Sequence, residues 1–329
     1  MTPAQELRRA IESCVLPHPM FLEHFRPLKQ RIEDAMDGAS SRIERVIGPS
    51  RVGKSMLINA LKRAFPETKV EGRRQVPLLV VPVPTPVTPV LLPSSVLSAL
   101  RVPVQRSITS GAMGNRMLDQ LNLAKTRVVI FEEASHLVEP GARILSRSAG
   151  DWFKVIADTD NRTVIMSGVP RLDRLFEHNE QLRMRASAPR WLLPYDSRIP
   201  ENMNAFHHCV TTYANRFRES GYPIDLVASA LTYQCYLLTG GLIGVLSRFM
   251  QELASQMAYE SPRPLTFADC QAAANAIEAA GSPHFRAFAS PDVMQSEVPP
   301  AALHQAFVEV MKDNDLAVPV IREQAGGVQ

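Results

Sequence analysis

The chain has 329 residues, of which 45% are hydrophobic and 21% are charged, and this composition excludes a disordered or collagen-like protein. Its length suffices for one large domain or two smaller ones with real cores. The formal net charge of +3 is too small to indicate a partner by itself, so the distribution of basic residues matters more than their sum.

The cysteines and the apolar stretches bear on the cellular compartment. The four cysteines are far apart, form no C-x-x-C motif and have no histidine at metal-ligand spacing, which favours buried free thiols in a reducing compartment. The N-terminus lacks an apolar signal core, and no uninterrupted apolar stretch is long enough to span a bilayer. These features predict a cytoplasmic protein that does not associate with membranes.

The first strand is predicted after two short helices, over residues 5–15 and about 28–36. An apolar run over 43–47 leads into residues 48–55, which read G-x-x-x-x-G-K-S, and an amphipathic helical pattern follows. A phosphate-binding loop requires this order of strand, loop and helix.

This loop is predicted to bind ATP and Mg²⁺. Its two glycines let backbone N–H groups turn toward phosphate oxygens, and the helix adds its positive dipole end. Lys54 would reach the β- and γ-phosphates, and the Ser55 hydroxyl would be a ligand of Mg²⁺. The predicted nucleotide-binding residues of the loop and helix start are Gly48, Pro49, Ser50, Arg51, Val52, Gly53, Lys54, Ser55 and Met56.

The segment just before a phosphate-loop strand often covers the base of a bound nucleotide. His18 and Phe21 lie in such a segment, so they are candidates for an adenine pocket. Packing of an N-terminal helix explains the same residues equally well, and both interpretations stay open.

A β-branched run over 76–83 predicts a second parallel strand. The prolines that follow, up to Pro93, exclude a central strand or a helix interior. This proline-rich loop is either an insertion that reaches a partner or DNA, or a rigid connector. Helices are predicted next, over about 94–100 and 113–124.

Two carboxylates end the next buried strand. Residues 125–133 read Lys-Thr-Arg-Val-Val-Ile-Phe-Glu-Glu, and ligand chemistry in open α/β sheets collects at the C-terminal ends of strands. In a P-loop ATPase, Glu132 would hold the Mg²⁺ shell and Glu133 would activate the attacking water as a general base. Asp is usual at the first position, so the longer Glu132 can weaken metal binding or turnover.

A helix over about 144–157 is followed by a short buried strand over 162–168. Ser167 either senses the γ-phosphate or the attacking water, or merely terminates this strand. Arg183 and Arg185 come next. They are candidates for an arginine delivered to the nucleotide of a neighbouring subunit, and the alternative is that both lie on a solvated surface.

The rest of the chain is predicted to be helical, with helices near 201–219, 224–238, 242–258 and 266–280. This pattern indicates a small all-α lid after an α/β domain. The predicted divisions are an N-terminal helical segment (1–42), an α/β ATPase domain (43–198), an all-α lid (199–282), and a linker and tail (283–329).

These features together resemble an AAA+ ATPase, with a parallel sheet flanked by helices and a helical lid. Within that class the chain is similar to the TnsC/TniB family of transposition regulators. The resemblance covers about residues 15–280 and is carried by residues 18–21, 48–55, 129–136, 179–185 and 239–246. The family spacing of Gln-Leu-x-x-Arg favours Arg185 as the arginine finger. The lid has Gly244 where many AAA+ proteins place a sensor arginine, and Arg248 is the candidate substitute.

The resemblance implies ATP-dependent homo-oligomers, as rings or helical filaments, on double-stranded DNA. It also implies a link between a TniQ-like target selector, in some cases with a CRISPR effector, and a DDE transposase. DNA contacts would be mostly to phosphates and non-specific. The candidate DNA-binding residues are Arg101, Arg106, Arg143, Arg147 and Lys154.

Three alternatives stay open. An initiator-like or helicase-loader ATPase usually carries a C-terminal winged helix, for which residues 283–329 are too short and too poor in β pattern. A nucleotide-binding scaffold that hydrolyses little is supported by Glu132 and Gly244. A small-molecule kinase is disfavoured, because the lid is too large and no acceptor-site constellation is present.

Overall fold

A computed structural model of the chain describes residues 2–14, 16, 18–104, 109–139, 142, 146–177, 179–279, 286–291 and 298–320. The chain forms two compact units. An α/β unit comprises Val15–Leu193, and a helical unit comprises Met1–Cys14 together with Pro194–Gln329.

The elements follow one another along the chain with clear boundaries. The helices are α1 (Pro3–Glu12), α2 (Pro19–Met36), α3 (Lys54–Ala64), α4 (Leu91–Ala99), α5 (Ser110–Leu123), α6 (Ser146–Asp158), α7 (Asp173–Glu177), α8 (Glu180–Arg185), α9 (Pro200–Glu219), α10 (Ala228–Thr239), α11 (Ile243–Gln256), α12 (Phe267–Ala279) and α13 (Pro300–Asp313). The strands are β1 (Ile43–Ile47), β2 (Thr68–Val70), β3 (Arg73–Gln75), β4 (Leu78–Pro82), β5 (Val128–Glu132), β6 (Thr163–Gly168) and β7 (Arg190–Trp191). Short 3-10 helices cover Ala134–Val138, Thr159–Asn161 and Pro170–Leu172.

Five parallel strands form the central sheet, in the order β4-β5-β6-β1-β7. The first four residues of β5 are all buried, as expected for a parallel strand covered on both faces. Phe131 at the end of this run packs edge-on against Phe153 of α6, with ring centroids 4.9 Å apart. This arrangement confirms the predicted α/β class with a parallel sheet flanked by helices and followed by a helical region.

The sheet register brings the carboxyl ends of the strands together. Phe131 is paired with Met166, so Glu132 lies level with Ser167, and Ser167 is in turn paired with Val46 of β1. The residues that follow β1 therefore begin next to the polar ends of β5 and β6.

The predicted start of the second helix was wrong. We expected it near Leu28, but α2 begins at Pro19 and contains Pro27 within it. Proline is favoured in the first turn, because the N–H that it lacks would have no partner there. The side chain of His18 accepts a hydrogen bond from the N–H of Phe21 and so caps the helix.

The helical unit includes the first helix of the chain. α1 packs against α9 and α11 and buries Leu7 and Ile11 completely, whereas α2 packs against α3 in the α/β unit. The predicted N-terminal segment is therefore divided between the two units.

The four cysteines are free thiols, as predicted; three are buried and Cys14 is half-buried. No single helix among the described residues is both long and apolar enough to cross a membrane, and α10 with α11, which pass by length and composition only as a pair, are bent by 114° at their junction.

Candidate functional site

The loop between β1 and α3 has the backbone that its two glycines predict. A Cβ atom at Gly48 would collide with the carbonyl oxygen of Leu192, so this close approach requires glycine. Gly53 has φ +111°, a left-handed conformation that favours glycine. Gly53 is also the N-cap residue of α3, and it has no side chain that could compete for the first N–H groups of the helix. These groups are oriented to bind an anion.

Lys54 places its ammonium group inside this loop. Nζ donates hydrogen bonds to the carbonyl oxygens of Gly48, at 2.8 Å, and Pro49, at 2.7 Å. Burial lowers the pKa of Lys54 to about 8, and the negative charge of Glu133 partly offsets this. Within the described part of the chain, no carboxylate forms an ion pair with Lys54. A half-buried cation whose hydrogen-bond acceptors are carbonyl groups fits a site for phosphate oxygens.

The two predicted Mg²⁺ ligands lie close together. Ser55 is in the first turn of α3, and Glu132 is at the end of β5. Burial raises the pKa of Glu132, the nearby Ser55 hydroxyl opposes the rise, and the charge of Glu133 adds to it. Among the described residues, no group of three His, Cys, Asp or Glu side chains could hold a metal ion. A hydroxyl and a carboxylate suit Mg²⁺, which proteins often bind through few side chains plus water and phosphate oxygens.

Glu133 lies next to this pair and is open to solvent. It has φ +55°, an uncommon conformation for a residue other than glycine, and 71% of its side chain is exposed. Oε2 of Glu133 is 3.9 Å from Nε2 of His136, and Nδ1 of His136 is 3.0 Å from Oγ1 of Thr85. His136 therefore lies beside the carboxylate of Glu133, and His136 in turn contacts Thr85 in the loop after β4.

Thr85 and His136 are site residues that the sequence analysis missed. Each is a polar residue within four positions of the end of a buried strand, which is the signal that could have identified them. Ser167 is buried at the end of β6, between β1 and β5. The predicted residues Lys54, Ser55 and Glu132, with Ser167, thus lie at one edge of the sheet.

The predicted arginine finger is on the surface. Arg185 ends α8 and forms an ion pair with Asp158 of α6, and the two side chains are 41% and 44% exposed. Arg183 is exposed as well. The neighbouring Met184 is 78% exposed.

His18 and Phe21 have a structural role at the start of α2. His18 is buried, and burial lowers its pKa to about 4, with the nearby His24 adding to the effect. Its neutral ring accepts the hydrogen bond from Phe21 at 3.3 Å, and Phe21 stacks on Phe25 at 5.4 Å. A contact of either residue with adenine stays a prediction.

One predicted DNA-binding residue lies in a basic cleft. Arg101 has 73% of its side chain exposed and lines a cleft of about 540 Å³ together with Arg73 and Arg74. Arg74 is held by two hydrogen bonds to Glu67, each 2.7–2.8 Å long. Arg73 and Arg74, both in β3, were not singled out from the sequence, although two adjacent arginines mark a basic surface.

Among the other predicted DNA-binding residues, Lys154 lies on α6, where it donates a hydrogen bond of 2.6 Å to Gln181 of α8. Arg106 and Arg143 lie outside the described residues, and so does the side chain of Arg147.

Several solved structures share this fold. Cdc6p from Pyrobaculum aerophilum aligns with a TM-score of 0.62 at 7% identity, covering 95% of this chain and 86% of that one. The ORC2 protein of Aeropyrum pernix, solved as ADPNP–ADP complexes, aligns with a TM-score of 0.54 at 14% identity over 98% of this chain and 73% of that one. The ORC1 protein of the same organism, in complex with DNA, gives 0.58 at 14% identity over 82% and 69%.

At identities of 7–14%, these matches show a shared fold and nothing more. No curated protein matched the sequence. The family model of the bacterial TniB protein matches residues 22–192, a segment that contains the loop, both acids and Arg185. Because the match covers more than half of the 329 residues, the chain belongs to the TniB family.

Proposed function

We propose that this protein is an ATPase that assembles on double-stranded DNA when ATP is bound, and that it links a TniQ-like target selector to a DDE transposase. The single observation that supports this most is Lys54, a half-buried ammonium group held by two carbonyl groups of the loop between β1 and α3. The TniB family supports the role in transposition. A ring or helical filament, and a CRISPR effector as a further partner, belong to the same proposal.

Each of the residues at the carboxyl ends of the strands has its own role in ATP hydrolysis. When bound, ATP with Mg²⁺ supplies the reacting γ-phosphate and a cation that neutralises charge as it develops. Lys54 and the N–H groups of the loop bind phosphate oxygens, and Ser55 and Glu132 hold the metal. Glu133 accepts a proton from the attacking water, and Ser167 orients that water.

His136 is proposed to orient Glu133. Replacing His136 by alanine removes the contact at 3.9 Å and the link to Thr85. We expect ATP turnover to fall by about ten- to a hundredfold, because small misplacements of a catalytic group have effects of this size. ATP binding should not change. Steady-state turnover and equilibrium nucleotide binding measure the two effects, with His208→Ala, an exposed histidine on α9, as the control. Normal turnover of His136→Ala would show that Glu133 needs no such support.

Binding to DNA should depend on ATP and on salt but little on sequence. A protein that makes about six to ten phosphate contacts loses about 10³–10⁵ in affinity between 50 and 200 mM salt. Fluorescence anisotropy with duplexes of unrelated sequence, with and without ATP, measures this. A footprint at one sequence that is insensitive to salt would favour an initiator-like protein instead.

Arg101 is the described residue best placed for such a contact, because it lies in a cleft with Arg73 and Arg74. Arg101→Ala should weaken binding equally for all sequences and reduce the salt slope by about one. Arg216→Ala, which removes an exposed arginine of α9, serves as the control. If both variants have the same salt slope as the wild type, the DNA lies elsewhere.

A scaffold that acts through ATP occupancy alone is the second candidate. Glu132 favours this function. It stands where Asp is usual, it lies near the Ser55 hydroxyl, and burial raises its pKa. A turnover assay with and without DNA separates the two functions, because a scaffold binds DNA with ATP but does not hydrolyse it.

A further inference from the structure

Strand β1 carries two adjacent charged residues inside the sheet. β1 lies between β6 and β7, where apolar side chains are expected on both faces. Glu44 is nevertheless completely buried, and only 11% of the Arg45 side chain is exposed. Charges are buried in this way only when they have partners, so the partners indicate what the two residues hold in place.

Glu44 is held by three groups from other segments. Its Oε1 accepts hydrogen bonds from Oγ of Ser187, at 2.8 Å, and from Nε of Arg31, at 3.1 Å. Its Oε2 is 3.6 Å from Nε of Arg190. Two of these partners belong to the segment that follows α8.

Arg45 binds the same segment. Its Nε and Nη2 donate to the carbonyl oxygen of Ser187, at 3.3 and 3.0 Å, and its Nη1 donates to Asp173, at 2.7 Å. The guanidinium also lies 4.5 Å from the ring centre of Phe176. The N–H of Ser187 donates to the carbonyl oxygen of Ile43, at 2.9 Å. Three consecutive residues of β1 therefore bind the N–H, the carbonyl and the hydroxyl of Ser187.

Ser187 lies close to Arg185 in the chain, so the contacts of Ser187 with β1 also affect the position of Arg185. Ser187 lies two residues after Arg185, and α8 is only six residues long. The adjoining strand β7 pairs with β1 over just two residues, which is a weak attachment by itself. The other end of β1 leads directly into the phosphate loop. The bonds to Ser187 thus fix the arginine-bearing segment to the strand that carries the loop.

We propose that Glu44 and Arg45 are positioning residues that hold Arg185 at the geometry needed to reach the nucleotide of a neighbouring subunit. This inference rests on the proposed ATPase function and on the prediction that Arg185 is its arginine finger, acting on the nucleotide of the neighbouring subunit. On this proposal, Glu44 and Arg45 affect ATP turnover in the nucleotide pocket of the next subunit and not in the pocket of their own subunit.

The test variants are Arg45→Lys, which keeps the charge but not the forked donor geometry, and Ser187→Ala, which removes only the hydroxyl bond to Glu44. ATP binding by each variant should equal that of the wild type. Turnover should fall by about ten- to a hundredfold for Arg45→Lys and less for Ser187→Ala. Arg263→Lys disrupts a comparable fork to Asp269 in the helical unit and is the control, with turnover unchanged.

Mixed oligomers separate positioning in trans from damage to the variant's own pocket. Lys54→Ala has an impaired pocket but an intact Arg185, so mixing it with Arg45→Lys creates interfaces in which both parts are intact. Turnover should then rise above the sum of the two separate variants. A mixture without such a rise, or normal turnover of Arg45→Lys alone, would overturn the inference. If Arg45→Lys does not fold, the same mixture with Ser187→Ala decides.

The same experiment with Arg185→Ala distinguishes the two levels of the proposal. If Arg185→Ala regains activity in the mixture and Arg45→Lys does not, only the positioning role is wrong. If Arg185→Ala alone hydrolyses ATP normally, the arginine finger is wrong and the positioning role is overturned with it.

Discussion

Replacing Arg185 by alanine is expected to reduce ATP turnover by about 10³–10⁵-fold, the range found for arginine fingers. A finger acts on the nucleotide of a neighbouring subunit, so binding of ATP by the monomer should not change. Assembly should weaken as well, because the γ-phosphate no longer bridges two protomers. Turnover, monomer ATP affinity and oligomer size by light scattering measure the three effects.

The ion pair of Arg185 with Asp158 does not oppose this role. Both side chains are substantially exposed, and surface pairs of this kind contribute only about 0–1 kcal/mol. Arg185 can therefore leave Asp158 and bind a γ-phosphate of the next subunit at a small cost in free energy. Arg183→Ala is the matched control, because Arg183 is exposed on the same short helix. If Arg185→Ala hydrolyses ATP normally, Arg183 or Arg190 becomes the candidate.

Replacing Glu133 by glutamine is expected to reduce turnover by about 10²–10⁴-fold, the usual contribution of a general base. Glutamine keeps the shape of the side chain but cannot take a proton from water. ATP should therefore bind and persist, and oligomers on DNA should last longer than those of the wild type. Single-turnover hydrolysis and the lifetime of DNA complexes after removal of free ATP measure this.

Glu132→Gln is the companion variant. It should weaken Mg²⁺ binding through loss of a charged ligand beside Ser55, so raising the Mg²⁺ concentration should recover part of its turnover. Glu133→Gln should not respond to added Mg²⁺. If Glu132→Gln alone abolishes turnover while Glu133→Gln does not, the two acids have been assigned in reverse.

The grouping of polar side chains at the carboxyl ends of the strands could be predicted, because the strands of the sheet are parallel. Runs of apolar residues predicted β5 and β6, and polar residues end both of them. Since the carboxyl ends of parallel strands meet at one edge, Glu132 and Ser167 were expected close to the loop, and the sheet register places them there. The proximity of Ser55 to Glu132 follows from the same topology.

The bonds of Ser187 were not predictable from local patterns. Strand β7 has only two residues, too few for any periodicity, and Glu44 and Arg45 in sequence are indistinguishable from charges on a solvated strand face. Ser187 lies 142 residues from Arg45 and 143 residues from Glu44 along the chain. The start of α2 was missed for a different reason, because Pro27 indicates a helix boundary unless the helix is already established before it.

The packing of α1 against α9 and α11 has a consequence for how the chain folds during synthesis. α1 leaves the ribosome before the whole α/β unit, and the set of helices that it packs against, α9 and α11, is complete only after Gln256. At about 5–20 residues per second, that interval is roughly ten to fifty seconds. The α/β unit is continuous from Val15 to Leu193 and can fold during the interval. The helical unit therefore closes last, and the apolar residues Leu7 and Ile11 of α1 lack their full native packing until then.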